Sequence, residues 1–274
     1  VRFDPAFVYT TSHGINERMS DVIALGFRAE KRRAALEVVG AADRFEVTRP
    51  KPESLSLFYG ILRGTGEVMR LCEEAGGDYI YVDHSYFDET RVKDAKVDQR
   101  THFRCVPNDR YFRRGGDMPA DRWLRLGIEV RPWRTSGDHI VIVPVSRFVA
   151  AFNGFSPEDW LAETVETLRQ HTDRKIVVKP KDVDHPLTDV LENAWALVTL
   201  ESNAAIQAAL AGIPVFTGVS AAAAPFGSQF LDEIENPPMP EREQHLANLA
   251  YQQFTYAEIG NGTARFVLQE QFGG

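Results

Sequence analysis

The chain has 274 residues, a formal net charge of −8, 43% hydrophobic and 26% charged residues. That composition is globular, with room for one large or two medium domains. No apolar run is long enough to cross a bilayer, and the acidic balance gives no global case for nucleic-acid binding, though it permits a local basic patch.

Ala6 to Thr10 has the character of a first strand. Thr11-Ser12-His13-Gly14 is a loop after it, and a helix opens near Asn16 and runs towards Ala35. Phe45 to Thr48 and Leu55 to Tyr59 are the next strands, with Pro50 and Pro52 in the turn between them. Gly60, Gly64 and Gly66 precede a helix over about Glu67 to Ala75. Tyr79 to Val82 is a strand that delivers Asp83-His84-Ser85-Tyr86-Phe87 at its carboxyl end. In an open α/β sheet, ligands sit at that end. Arg91 to Arg114 reads as polar and irregular, with eight cationic side chains against three anionic ones. It is either a solvated face or a surface for an anionic acceptor, with Arg100, Arg104 and Arg110 as the contacts.

Pro132 to Asp138 combines Pro, Ser and Gly and reads as a linker. Strands are expected at His139 to Val145, Lys175 to Val178, Trp195 to Leu200 and Ile213 to Thr217. Ser156 caps a helix that starts at Pro157 and ends near His171, with Glu158 and Asp159 in its acid-favouring first turn. Pro186 to Asn193 and Phe230 to Ile234 are short helices. An alanine-rich helix ends at Gly212, with Pro214 just beyond. A closing helix is expected over Glu241 to Ile259, with Leu246, Leu249, Ala250 and Phe254 on its buried side.

This rhythm predicts an α/β protein of two Rossmann-like domains facing a cleft. The expected division is 1–131, 132–240, and a C-terminal helical part, 241–274, packing back on the first domain. In the second half, Ser146-Arg147, Lys179-Pro180-Lys181, Glu201-Ser202-Asn203 and the loop after Thr217 all follow strands. In a parallel sheet they meet at one edge. Hydroxyls, cations and a helix amino end there match the needs of a nucleotide phosphate. Neither a Walker-type loop nor a dinucleotide glycine fingerprint is present. Glu201 is a candidate for a ribose or sugar hydroxyl, or else a helix cap. Asp83, His84 and His13 are the acid–base candidates, each with a structural alternative. Cys72 and Cys105 make neither a disulfide framework nor a metal spacing. The remaining histidines, His245 among them, show no partner pattern.

The stretch Glu201-Ser202-Asn203-Ala-Ala-Ile-Gln-Ala-Ala-Leu-Ala-Gly212-Ile-Pro214-Val resembles the serine-containing donor motif of GT-B glycosyltransferases of the capsule-synthesis and bacterial sialyltransferase type. Ser202 and Asn203 match the turn that binds the donor phosphate in that family. Lys179-Pro180-Lys181 stands where the family carries His-Pro, with the proline matching and the histidine absent. Asp83 matches the acid of the family's acidic-acidic-Gly motif, while His84 and Ser85 depart from it. The layout also looks like glycosyltransferases of phages and their hosts. The resemblance implies sugar transfer from a nucleotide-sugar co-substrate to a hydroxyl on a saccharide or on a hydroxymethylpyrimidine in phage DNA. No cofactor and no metal are called for. A cytoplasmic, membrane-free enzyme is expected. A sugar-nucleotide epimerase and a non-catalytic two-lobed binding protein are the alternatives.

Overall fold

The computed structural model describes residues 9–11, 55–61, 65–87, 102–111, 116–181, 186–255, 257–258 and 263–272. His13, Arg100, the expected strand Phe45 to Thr48 and the expected helix from Asn16 lie outside them. The protein is mixed α/β and forms two compact units, Val1–Gly116 with Asn248–Gly274, and Asp117–Ala247.

The first unit carries β1 (Tyr9–Thr11), β2 (Leu55–Tyr59), α1 (Thr65–Glu74), β3 (Tyr79–His84) and β4 (His102–Pro107). The sheet is mixed. Among the described strands, β2 and β3 pair in parallel, while β1 on β2, and β4 on β3, are antiparallel. This departs from an all-parallel Rossmann-like sheet. β4 falls inside the segment expected to be irregular. Phe103, Cys105 and Val106 are fully buried there, and the neighbouring Arg104 masks their apolar pattern.

The second unit holds α2 (Asp121–Leu126), β5 (His139–Ile142), α3 (Arg147–Asn153), α4 (Pro157–His171) and β6 (Lys175–Val178). It continues with α5 (Leu187–Leu191), β7 (Ala194–Val198), α6 (Ala204–Leu210) and β8 (Val215–Phe216). Its sheet has the order β6-β5-β7-β8, and every neighbour pair is parallel. Ile140, Ile142, Ala196, Val198 and Phe216 share a core with Leu168 of α4, and Trp160, Leu161 and Val165 pack against it. The two-residue strand spacing presents one apolar face to that helix. The start of α4 is built as its sequence demands. Ser156 Oγ accepts the Asp159 amide at 3.2 Å, and Pro157 occupies the first helical position.

Pro132 to Asp138 is part of this unit rather than a boundary. Arg131 N donates to Leu210 O at 2.9 Å, Arg134 N to Gly212 O at 2.6 Å, and Trp133 Nε1 to Pro240 O at 2.9 Å. These carbonyls include the ones that the end of α6 would otherwise leave unpaired. Buried Arg242 completes the arrangement. One of its nitrogens donates to Ala209 O and another to Arg131 O at 2.7 Å, with the guanidinium over the Trp133 ring at 3.9 Å.

The single closing helix expected over Glu241 to Ile259 is instead α7 (Glu243–Ala250), β9 (Gln253–Thr255) and, further on, α8 (Thr263–Phe272). The helical spacing of Leu246, Leu249 and Ala250 holds, and all three are buried. A turn follows, in which Gln252 N donates to Leu249 O at 3.0 Å. Phe254 then lies opposite Phe103, because β9 pairs antiparallel with β4.

His245 on α7 donates from Nε2 to Ala222 O at 2.7 Å and stacks edge-on against Phe226 at 4.8 Å. Burial holds its pKa below the usual value, against the opposing hydrogen bond. Below about pH 6.5 the unfolded chain protonates this ring before the folded one does. Its contribution to stability is therefore complete above that pH and is lost as pH falls below it. The stability difference between about pH 7.5 and about pH 5.5 should shrink in His245→Gln. An unchanged difference in denaturant melts would assign the dependence to other groups.

Candidate functional site

The parallel sheet of the second unit sets out a candidate site of its own. From β5 the chain passes to β6 on one side. From β7 it passes to β8 on the other. The connections after β5 and β7 therefore leave in opposite directions, which makes the carboxyl edge between these strands a topological switch point, where open parallel sheets bind ligands. Ser146-Arg147 and Glu201-Ser202-Asn203 occupy those two loops. Lys179-Pro180-Lys181 follows β6, and Thr217-Gly218 follows β8. The sheet thus brings to one edge the four loops that the sequence singles out.

Both serines are held from behind. Ser146 Oγ accepts the Val149 amide at 3.3 Å, and Ser202 Oγ accepts the Ala204 amide at 3.2 Å. A hydroxyl has one proton and two lone pairs. An accepted amide uses a lone pair and leaves the proton to be donated elsewhere. Neither serine donates to an acceptor among the described residues. Arg147 is exposed, stacks over Phe148 at 4.7 Å, and has no ion pair among the described residues. Lys179 is buried, with its ammonium donating to Pro180 O at 3.0 Å. Lys181 is exposed and Glu201 is buried.

The amides opening α6 differ from expectation. Ala205 N donates to Ser202 O at 3.1 Å, and Ile206 N to Asn203 O at 3.0 Å. With Ala204 N on Ser202 Oγ, the first turn is satisfied from within. Ser202, not Asn203, supplies the side-chain cap.

Two buried hydroxyls here escaped the sequence reading. Thr199 Oγ1 donates to Val143 O at 2.8 Å and ties the β7 loop to the β5 loop. Thr217 Oγ1 is buried without a hydrogen-bond partner among the described residues. The available signal was a hydroxyl residue closing each apolar strand.

In the first unit, Asp83, next to last in β3, lies directly opposite Arg104 of β4. Arg104 Nη2 lies 2.9 Å from Asp83 Oδ2, and the Tyr81 hydroxyl donates to the same oxygen at 2.7 Å. The His84 amide donates to Oδ1 at 2.8 Å. Burial pushes the Asp83 carboxyl upward, but Arg104, His84 and the Tyr81 hydroxyl together hold it below its ordinary value. The Tyr81 hydroxyl is pushed well up by burial and then by the Asp83 charge. Arg104 is a correction to the basic-surface reading. It is buried and faces the rings of Tyr81, Tyr86 and Tyr111 at 5.4, 5.8 and 4.5 Å, so it is not presented to an acceptor. Its partner Asp83 lies a whole hairpin away in sequence. Arg110 is half-buried and stacks on Tyr111 at 5.2 Å. His84 is exposed at the strand end.

Among the described residues, no group of His, Cys, Asp and Glu is placed to hold a metal ion. No described helix is long and apolar enough to cross a membrane.

No family model and no curated protein matches the chain. Solved structures similar to the chain include two of KpsC from Thermosulfurimonas dismutans. The one titled beta Kdo 2,4 transferase is 12% identical, with 73% of this chain and 80% of that chain covered and a TM-score of 0.46. The one titled beta Kdo 2,7 transferase is 15% identical, with 85% and 90% covered and a TM-score of 0.49. At this distance the reading of the site rests on the chain's own residues.

Proposed function

We propose that the protein is a GT-B-type glycosyltransferase that moves a sugar from a nucleotide-sugar donor to a hydroxyl of a saccharide acceptor. The observation that carries this reading is the carboxyl edge of the parallel sheet. There, Ser146 and Ser202, whose hydroxyls each accept an amide and keep a proton to donate, lie in strand-end loops of the same sheet edge as Arg147 and Lys179. Hydroxyl and cationic donors of this kind suit a phosphate that must be held while its bond to the sugar breaks. Asn203 and Lys181 flank the group, and Glu201 is the candidate for a ribose or sugar hydroxyl. Asp83, His84 and His13 are the candidates for activating the acceptor. A DNA acceptor is the less favoured reading, because it counted on Arg104 as a surface contact.

The test is calorimetry and nucleotide release with a panel of UDP-, CMP- and GDP-sugars, on the parent protein and on Arg147→Ala. One charge-assisted hydrogen bond is worth about 1.5–3 kcal/mol. The variant should therefore bind the active nucleotide about 10- to 100-fold more weakly while melting like the parent, because Arg147 is exposed. Equal affinity in the two proteins would remove Arg147 from the donor site. Binding without turnover would favour a binding module, and interconversion of sugar epimers would favour an epimerase.

A further inference from the structure

At the carboxyl edge of the second unit's sheet, one residue from each strand end falls into a row. The register pairs Ile142 with Val178 and with Val198, and Val198 with Phe216. One step further along come Lys179, Val143, Thr199 and Thr217. Val198 and Phe216 belong to the core under α4. Successive strand residues point to opposite faces, so Thr199 and Thr217 lie on the other face, at the edge where α6 begins. Thr199 Oγ1 gives its proton to Val143 O at 2.8 Å. Thr217 is fixed through its backbone. Its amide donates to Ser228 O at 2.9 Å, and the Gly218 amide donates to Leu200 O at 2.8 Å. The Thr217 hydroxyl has no such tie. The residue is 5% exposed, and Oγ1 has no hydrogen-bond partner among the described residues. A buried hydroxyl left unpaired costs free energy in the folded chain. A ligand at this edge supplies the missing bond.

Charge along the edge decides which part of a donor that is. The sheet order is β6-β5-β7-β8. At about 4.8 Å per strand, the row runs about 14 Å from Lys179 to Thr217, too far for one phosphate to touch both. Lys179 and Arg147 lie in the loops after β6 and β5. The sequence has no Lys or Arg between Lys181 and Arg242. Arg242 is occupied at the opposite end of α6, on Ala209 O. In residues 199–203 and 217–220 the one charged side chain is the buried Glu201. Cations suit a phosphate, whereas a carboxylate and a hydroxyl suit the neutral hydroxyls of a sugar.

We propose that Thr217 is a specificity-determining residue whose hydroxyl bonds a sugar hydroxyl of the donor, with Glu201 as the second contact. The donor then lies with its phosphate towards β5 and β6 and its neutral end over β7 and β8. This rests on the sugar-transfer reading. The sugar hydroxyl belongs either to the ribose or to the transferred sugar, and the ligands of the test separate the two.

The experiment is calorimetry on the full chain with UDP, CMP and GDP, their 2′- and 3′-deoxy counterparts and the matching nucleotide-sugars. The proteins are the parent, Thr217→Val, which keeps the branched shape and loses the hydroxyl, and Thr217→Ser, which keeps the hydroxyl. Without ligand, Thr217→Val should melt at or above the parent, because it breaks no bond and removes an unsatisfied group. Melting below the parent would give the hydroxyl a structural partner and overturn the proposal. Thr217→Val should bind the active nucleotide-sugar about 2- to 10-fold more weakly, the range of one neutral hydrogen bond. Thr217→Ser should bind it like the parent. A ribose contact shows the loss with the bare nucleotide, and one deoxy form abolishes the difference between parent and variant. A contact to the transferred sugar shows the loss with the nucleotide-sugar alone. Parent-like binding of every ligand by Thr217→Val would overturn the proposal and leave the donor site standing. No binding of any ligand by the parent would overturn both.

Discussion

Gly212→Val is expected to destabilise the second unit by about 2–5 kcal/mol. Two costs add. Gly212 has φ +77, where a side chain costs about 1–2 kcal/mol and a β-branched one fits worst. A Cβ there would also lie 2.0 Å from Pro132 O and 3.0 Å from Pro132 C. That overlap is with backbone, and Trp133, Arg134 and Arg242 pin the strand of chain that carries it. Relief needs the 131–134 strap to lift away, with further loss of about 1–3 kcal/mol. Gly154 is the control. Its φ is +79, but a Cβ there meets nothing within 4 Å. Gly154→Ala should cost only about 1 kcal/mol. Urea melts of both variants check the pair. Equal losses would mean that the strap adds nothing.

Arg104→Met should be as damaging to the first unit, at about 3–5 kcal/mol, because it leaves the half-buried Asp83 carboxylate without its cation. The side chains of the pair are 5% and 24% exposed, so solvent screens little of the interaction. The decisive comparison is Arg104→Met combined with Asp83→Asn. Removing the stranded charge should recover part of the loss, so the double variant should melt above Arg104→Met. If the double variant is the sum of its parts, the two residues are uncoupled and the ion pair has no energetic basis.

Local signals carried well where the chain's own neighbours decide structure. Leu55–Tyr59 and Lys175–Val178 are strands at the residues expected, and Ser156-Pro157 starts a helix as its chemistry requires. The expected edge of four strand-end loops follows from the parallel order of one sheet. What the sequence hid depends on distant partners. β4 is obscured because Arg104 interrupts an apolar run, and only Asp83, on another strand, explains an arginine there. Phe254 continues a helical spacing in sequence, yet its pairing opposite Phe103 puts it in a strand. Arg242 sits between two glutamates and reads as surface charge. Its burial follows from the α6 carbonyl and the Trp133 ring it meets. The amides of α6 are a subtler case. The sequence marks the helix start, but it does not reveal that Ser202 and Asn203 already satisfy the first turn.

The central claim is that the carboxyl edge of the parallel sheet holds the nucleotide part of a sugar donor. Its most direct test is amide chemical-shift mapping of the isotope-labelled full chain, titrated with UDP, CMP and GDP in turn. The account predicts that one of them saturates and shifts the amides of Ser146 and Arg147, Lys179 to Lys181, Thr199 to Asn203 and Thr217 to Val219, with the helix α4 unmoved. Saturable shifts confined to other residues, or none with any of the three, would contradict it.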